Sequence, residues 1–197
     1  VHAPGLGSMQ TVQVRTFTAL IQAPYVLSEA DRDPWWTLLL FFNSLRELGT
    51  TLSLLQSDIP DYQQVLVNRM ASRKRRFFRE IWELTGRTSG EDIPKAIANL
   101  GVELGDPAKR PIDICLASSI LEVGIDIDRL ALMSIVGQPK TTSQYIQVSG
   151  RVGRKTDRPG LVVTLYGASK PRDRSHYEKF RTYHAQLYAQ VEPTSVT

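Results

Sequence analysis

Trp36-Thr37-Leu38-Leu39-Leu40-Phe41-Phe42-Asn43-Ser44 is the stretch on which the fold turns. A strand with one wet face alternates apolar and polar residues, and Trp36 to Phe42 does not. A short apolar run of this kind reads as a strand buried on both faces, as in a parallel sheet. Asn43-Ser44 then caps a helix running to about Gln56, with Leu45, Leu48, Leu52 and Leu55 on one side. Strand, polar turn and amphipathic helix make the first half of a β-α-β unit.

The same alternation continues along the chain. Glu80–Leu84, Ile112–Ala117, Ala131–Val136 and Leu161–Tyr166 read as further strands. Helices are expected from Ser89 to Leu100, with Glu91 and Asp92 in the first turn where acid suits the helix dipole, from Thr142 into the run ending at Arg154, and from Ser175 to Gln190. Asp61–Arg79 reads as a helix that becomes strongly basic. Gln10–Tyr25, where Val12, Val14 and Phe17 partly alternate, reads as an entry strand or extended arm ending before the turn Asp31-Arg32-Asp33-Pro34. The expectation is an α/β fold of three layers, with a mostly parallel sheet flanked by helices. Residues 1–9 read as a cloning scar or flexible tail, 10–34 as the arm, 35–190 as the domain with a basic helical insertion at 57–79, and 191–197 as a tail. Ligands of such sheets sit beyond the carboxyl ends of the strands. Asn43-Ser44, Thr85-Gly86, the cluster from Ser118 and the residues from Gln138 onward converge there.

The chain has 197 residues, 42% hydrophobic and 22% charged, with a net charge of +4. These values suit one folded domain and permit a polyanionic partner without requiring one. The one cysteine, Cys115, excludes an internal disulfide and sits in an apolar run, where an inert buried thiol is expected. His2, His176 and His184 lack metal-ligand company, so no metal site is expected. No apolar stretch reaches the ~18 residues of a membrane span. Nothing at the N-terminus resembles a signal peptide, and the expected location is the cytoplasm.

Two clusters carry the chemistry. In Gln147-Val148-Ser149-Gly150-Arg151-Val152-Gly153-Arg154, two arginines stand three apart, each directly after a glycine. Arginine is always charged and its fork of donors suits phosphate oxygens. On a helix Arg151 and Arg154 would share one face, and a helix built only for stability would avoid Gly150 and Gly153 at about 1 kcal/mol each. In the second cluster, Ser118 to Ile127, the hydroxyls of Ser118 and Ser119 suit phosphodiester oxygens, Gly124 relieves a tight turn, and Asp126 could accept from a sugar hydroxyl or an arginine. An ordinary strand-to-helix loop explains that cluster as well. Asn43-Ser44 serves equally as a helix cap or a phosphate contact, and Thr85-Gly86 alone is a turn. Arg73-Lys74-Arg75-Arg76 with Phe77-Phe78 reads either as a strand-contacting patch or as a solvated helix end whose phenylalanines enter the core.

In this order the pieces resemble superfamily 2 helicases over about residues 36–168. Ser118–Ile127 looks like motif V, Gln147–Arg154 like motif VI, Leu38–Ser44 like motif IV, and Leu84-Thr85-Gly86 like the strand-turn element that follows it. The resemblance implies the second RecA-like motor domain. It implies that Arg151 and Arg154 reach across a cleft to the triphosphate of ATP held by a first motor domain. Gly124, Asp126, Gln147 and Gly150 would belong to the same nucleotide site. Asn43, Ser44, Thr85, Gly86, Ser118 and Ser119 would line the nucleic-acid track, to which Arg73, Lys74, Arg75 and Arg76 are added as basic contacts. Val148 stands where many relatives have arginine, and the segment before the next strand is long and basic.

The chain contains no Gly-x-x-x-x-Gly-Lys-Ser/Thr loop and no Asp-Glu pair after a strand. ATP and Mg²⁺ are therefore expected mainly on an N-terminal RecA-like domain of the same polypeptide, and this fragment alone is expected to be inactive. DNA is the expected substrate, with RNA an option. The wording around Phe41–Gly49 and Glu83–Ser89 is similar to large bacterial helicases of DISARM-type phage-defence systems, which implies defence-system partner subunits. The alternative is a RecA-like module that grips nucleic acid without catalysis.

Overall fold

In a computed structural model, residues 1–3, 8–70, 74–118 and 127–190 are described. After the one-turn helix α2 (Asp33–Trp36), Leu38–Phe42 forms β2, every residue of it buried. It pairs in parallel with β4 (Ile114–Ala117) on one side and β5 (Leu132–Val136) on the other. Beyond them lie β3 (Ile81–Leu84) and β6 (Leu161–Gly167), and β6 also pairs with the two-residue β1 (His2–Ala3). The order is β1-β6-β5-β2-β4-β3, and every pairing is parallel.

Period two sends alternate residues of these strands to opposite faces, so two cores form. On one face Leu39, Phe41, Cys115, Met133 and Ile135 pack against α5 (Asp92–Leu100), α6 (Thr142–Ser149) and Tyr183 of α8 (Phe180–Ala185). On the other, Leu38, Leu40, Phe42, Ile114 and Leu132 meet α1 (Met9–Gln22), α3 (Leu45–Gln56) and α4 (Asp58–Arg69). Three α/β/α layers result, as the apolar runs predict. Burial pushes the Cys115 thiol up to about 12, in keeping with an inert core cysteine.

Four local expectations are corrected. Gln10–Tyr25 is no strand or arm: Met9–Gln22 is helix α1, capped by Ser8, whose hydroxyl accepts from Thr11 N–H at 3.1 Å. Gln13, Phe17, Leu20 and Ile21 are buried at helical spacing, which overrides the Val12/Val14 alternation. The basic helix to Arg79 stops at Arg69, and Lys74–Glu80 has no regular structure. Side chains from other elements hold that backbone instead: Gln63 donates to Arg76 O at 2.7 Å, Gln22 to Lys74 O at 2.9 Å, and Arg76 N–H to Gln22 Oε1 at 3.0 Å. α6 ends at Ser149, with Gly150 as its C-cap, so Arg151 and Arg154 leave the helix rather than share its face. The C-terminal helix from Ser175 is instead α7 (Pro171–Glu178), then α8, then a 3₁₀ turn at Leu187–Gln190.

Candidate functional site

The candidate residues divide between the two edges of the sheet. At the carboxyl edge, β2, β4 and β3 are successive neighbours, each about 4.8 Å from the next. That spacing brings Asn43, Ser118 and Thr85 together.

Asn43 follows β2, and its amide donates to Val136 O and Gly137 O, both at 3.0 Å, clasping the end of β5. Its Oδ1 is buried and has no partner among the described residues. Gly137 has φ +77°, an angle that favours glycine, and a Cβ there would stand a tight 3.3 Å from Asn43 Nδ2. Ser44 is exposed and caps α3: its Oγ accepts from Glu47 N–H at 3.3 Å and donates to the Glu47 carboxylate at 3.2 Å. Ser44 is thus the N-cap of α3, with an acidic residue at N3 where negative charge suits the helix dipole. Glu47 also meets Lys170.

Thr85 is buried, and its hydroxyl accepts from Arg87 N–H at 3.2 Å while its own N–H reaches Thr88 Oγ1 at 3.0 Å. The tight turn leaves Gly86 exposed at its tip, with open space around it. Ser118 is buried, and its N–H bonds Leu84 O at 3.0 Å, extending the ladder one step past β4. Ser119, Gly124, Asp126 and Arg73 lie outside the described residues.

Asp173 completes this edge and had no signal in the sequence, standing in the polar run Pro171-Arg172-Asp173-Arg174. It is buried and accepts from Gln138 N–H at 2.9 Å and Gly167 N–H at 2.8 Å, tying the ends of β5 and β6 together. Gln138 in turn bonds both Tyr166 and Tyr183, each at 3.3 Å. Burial holds the Tyr166 and Tyr145 hydroxyls above the usual tyrosine range.

The arginines stand at the other edge. α6 starts beyond the end of β5 and its eight residues run back about 12 Å along the sheet. Gly153 N–H then bonds Leu130 O, just before β5 begins, at 2.9 Å. Gly153 has φ +66°, and a Cβ on it would come within 2.3 Å of Gly160 N. Its glycine is thus demanded by contact with the chain itself. Gly150 closes the helix, bonding Ile146 O at 2.9 Å. Arg151 is half-buried; Gln147 and Arg154 are exposed. Ser118 and Ile127, which bound the central part of the motif V-like cluster, stand at opposite edges. Asp128, just after it, pairs with Lys155 at 3.6 Å.

Lys74, Arg75 and Arg76 lie at this amino edge too, away from the carboxyl-edge group. Arg76 is fully buried and so offers no side-chain atom to a ligand. It pairs with Asp113 at 3.0 Å, bonds Ile21 O and Trp36 O, and stacks on Trp36 with 3.9 Å to the ring centre. Burial lowers its guanidinium pKa and Asp113 opposes that shift. Arg129 does a similar job nearby, joining Asp33, Thr37 and Leu100 O.

Residues 80–156 match the family of the helicase conserved C-terminal domain. The chain is 44% identical over 195 residues to the DISARM protein DrmA of Bacillus paralicheniformis, covering 96% of this chain and 17% of that protein. It is 35% identical over 68 residues to the Druantia protein DruE of Escherichia coli, 34% of this chain and 4% of that one. Its fold is similar to the Mycobacterium smegmatis helicase Lhr bound to ssDNA and AMP-PNP, with TM-score 0.56 and 17% identity over 92% of this chain and 19% of that chain. It is also similar to the DUF1998 helicase MrfA bound to DNA, with TM-score 0.55 and 17% identity over 91% of this chain and 20% of that one. The chain therefore spans a fifth or less of the length of each. No described helix is long and apolar enough to cross a membrane.

Proposed function

We propose that this chain, whose residues 80–156 match the helicase conserved C-terminal domain, is the second RecA-like motor domain of an ATP-dependent superfamily 2 helicase or translocase acting on DNA. The observation that carries the reading is the division of labour between the two edges of one sheet. Backbone-rich turns at Asn43-Ser44, Thr85-Gly86 and Ser118 form one edge, while Arg151 and Arg154 leave α6 at the other. A domain arranged so can hold a strand at one edge and reach a nucleotide at the other.

The arginines fit a nucleotide held elsewhere. Gly150 closes α6 and the positive φ of Gly153 holds the loop just beyond Arg151, so a half-buried arginine and an exposed one, Arg154, leave a braced backbone. Among the described residues, no cluster of three or more His, Cys, Asp or Glu side chains is placed to hold a metal ion. Because the sequence holds no phosphate loop, Mg²⁺ and the phosphate cradle are assigned to an N-terminal motor domain of the same polypeptide. Binding of ATP there would close the two domains, and its hydrolysis would let them open again. Arg151 and Arg154 stabilise charge on the transferring group. Gln147, exposed in the last turn of α6, and Asp126 are assigned to the same nucleotide site.

DNA is preferred because the helicases Lhr and MrfA, similar in fold, are bound to it. The likeness to the DISARM protein DrmA supports a place in a bacterial defence system, and partner subunits and a cytoplasmic location are proposed with it. The test is Arg151→Ala and Arg154→Ala in the intact protein. ATP turnover should fall by ~10³-fold or more while nucleotide binding persists. Full turnover by either variant would overturn the arginine assignment, and turnover by this domain alone would overturn the composite site.

A further inference from the structure

We propose that the amino edge carries a second nucleic-acid site, separate from the carboxyl-edge track, that takes an unpaired nucleotide of a single strand. A cleft of about 450 Å³ opens there, lined by Tyr25, Trp36, Phe77, Arg79, Glu80 and Arg110 among others. Its position follows from Lys74–Glu80 having no helix. Along that stretch Lys74, Arg75, Phe77 and Arg79 face outward to differing degrees, while Arg76 is buried and Phe78 packs on the core.

Phe77 is the deciding residue. It is 69% exposed although hydrophobic and next to a core residue. The Arg75 guanidinium lies 5.0 Å from its ring centre. Tyr25 and Trp36 stand with ring centres 6.2 Å apart on the cleft wall, and Arg76 backs Trp36 from inside. The ring therefore stands on a rigid base. Gln22, Gln63 and Asp113 bind the backbone around it, Asp113 accepting from Arg79 N–H at 2.8 Å and Glu80 N–H at 3.1 Å.

The charge suits a polyanion. The side chains of Arg79 and Arg110 are exposed and make no ion pair among the described residues. Asp113 is engaged by Arg76 and two backbone N–H groups, which leaves Glu80 as the opposing carboxylate in the lining. An acidic peptide would meet the arginines but would leave the exposed aromatic ring unused. A nucleotide uses both, with its base on Phe77 and its phosphate on Arg79 and Arg110. A strand bound at both edges would pass around the domain.

The test uses the intact protein and single-stranded oligothymidylate carrying 5-iodouracil. Photocrosslinks should map to the peptide bearing Phe77 as well as to carboxyl-edge peptides. Phe77→Ala should weaken binding by ~10-fold and Phe77→Trp should retain it, since stacking rather than shape is lost. Joint Arg79→Ala and Arg110→Ala should lower the slope of log affinity against log salt by about 1.4. Crosslinks confined to peptides bearing Asn43, Thr85 or Ser118, or unchanged affinity in Phe77→Ala, would overturn the site. So would displacement by polyglutamate that is insensitive to Phe77, which would assign the cleft to an acidic protein. Failure of the arginine assignment above would show instead as normal ATP turnover in Arg151→Ala, leaving the Phe77 crosslink in place.

Discussion

Gly153 and Gly160 touch backbone to backbone: a Cβ on Gly153 would fall 2.3 Å from Gly160 N, and one on Gly160 would fall 2.8 Å from Gly153 N. The contact closes the loop between α6 and β6 at its base and so sets where Arg151 and Arg154 emerge.

Gly153→Ala should therefore damage function before it damages the fold. The positive φ costs about 1 kcal/mol for alanine, and the contact adds to it. The loop should open to relieve both, displacing the arginines. In the intact protein, ATP turnover should fall by ~10-fold or more, with a melting temperature only a few degrees lower. Wild-type turnover in that variant would show that the loop's position does not govern the arginines.

The buried ion pair gives an unequal double test. Arg76→Ala leaves Asp113 with two backbone donors, whereas Asp113→Ala leaves Arg76 buried without its counter-charge and orphans the N–H groups of Arg79 and Glu80. Removing one partner of a buried pair costs about 3–5 kcal/mol. Asp113→Ala should lie at the upper end and Arg76→Ala below it, as measured by urea denaturation.

Asn43→Asp should separate the clasp from the cap beside it. A carboxylate cannot donate to Val136 O and Gly137 O, so two hydrogen bonds become repulsions. The expected loss is about 2–3 kcal/mol, whereas Ser44→Ala, losing only the cap, should cost about 1 kcal/mol. Equal losses would mean that Asn43 acts only as a helix-start residue.

Alkaline pH should weaken the fold partly through Cys115. Its thiol is raised from 9.0 to about 12 by burial, so the unfolded chain loses that proton first. The stabilisation is complete below pH 9 and is lost as pH climbs toward 12. Tyr145 and Tyr166, also raised by burial, contribute in the same direction. The difference between wild type and Cys115→Ala in urea midpoint across pH 8–11 isolates the cysteine. A constant difference would refute the assignment. The native thiol should also resist alkylation at pH 8.

The strands were legible because a residue buried on both faces must be apolar, and Leu38–Phe42, Ile114–Ala117 and Leu132–Val136 obey that rule locally. The cap at Ser44 was legible for a similarly local reason. What failed depended on distant partners. Lys74–Glu80 looks helical until Gln22, Gln63 and Asp113 take its backbone, and Arg76 looks like a surface charge until Asp113 takes its guanidinium. α1 was missed because two valines imitate a strand while the buried set Gln13, Phe17, Leu20 and Ile21 includes a glutamine. The arginine pair was found through its glycines, but Gly153 serves contact with Gly160 rather than a ligand.

The sheet order also bears on how the chain is made. The central strand, Leu38–Phe42, finds its neighbours only at Ile114–Ala117 and Leu132–Val136. At about 5–20 residues per second, it waits on the order of 5–20 s on the ribosome for the second of them. Five consecutive apolar residues with both strand edges unpaired are a template for pairing with other chains during that interval. The early helices α1, α3 and α4, which cover one face of it, precede residue 70. Only the other face and the two edges then remain for a chaperone to shield, one edge until Ala117 emerges and the second until Val136 does.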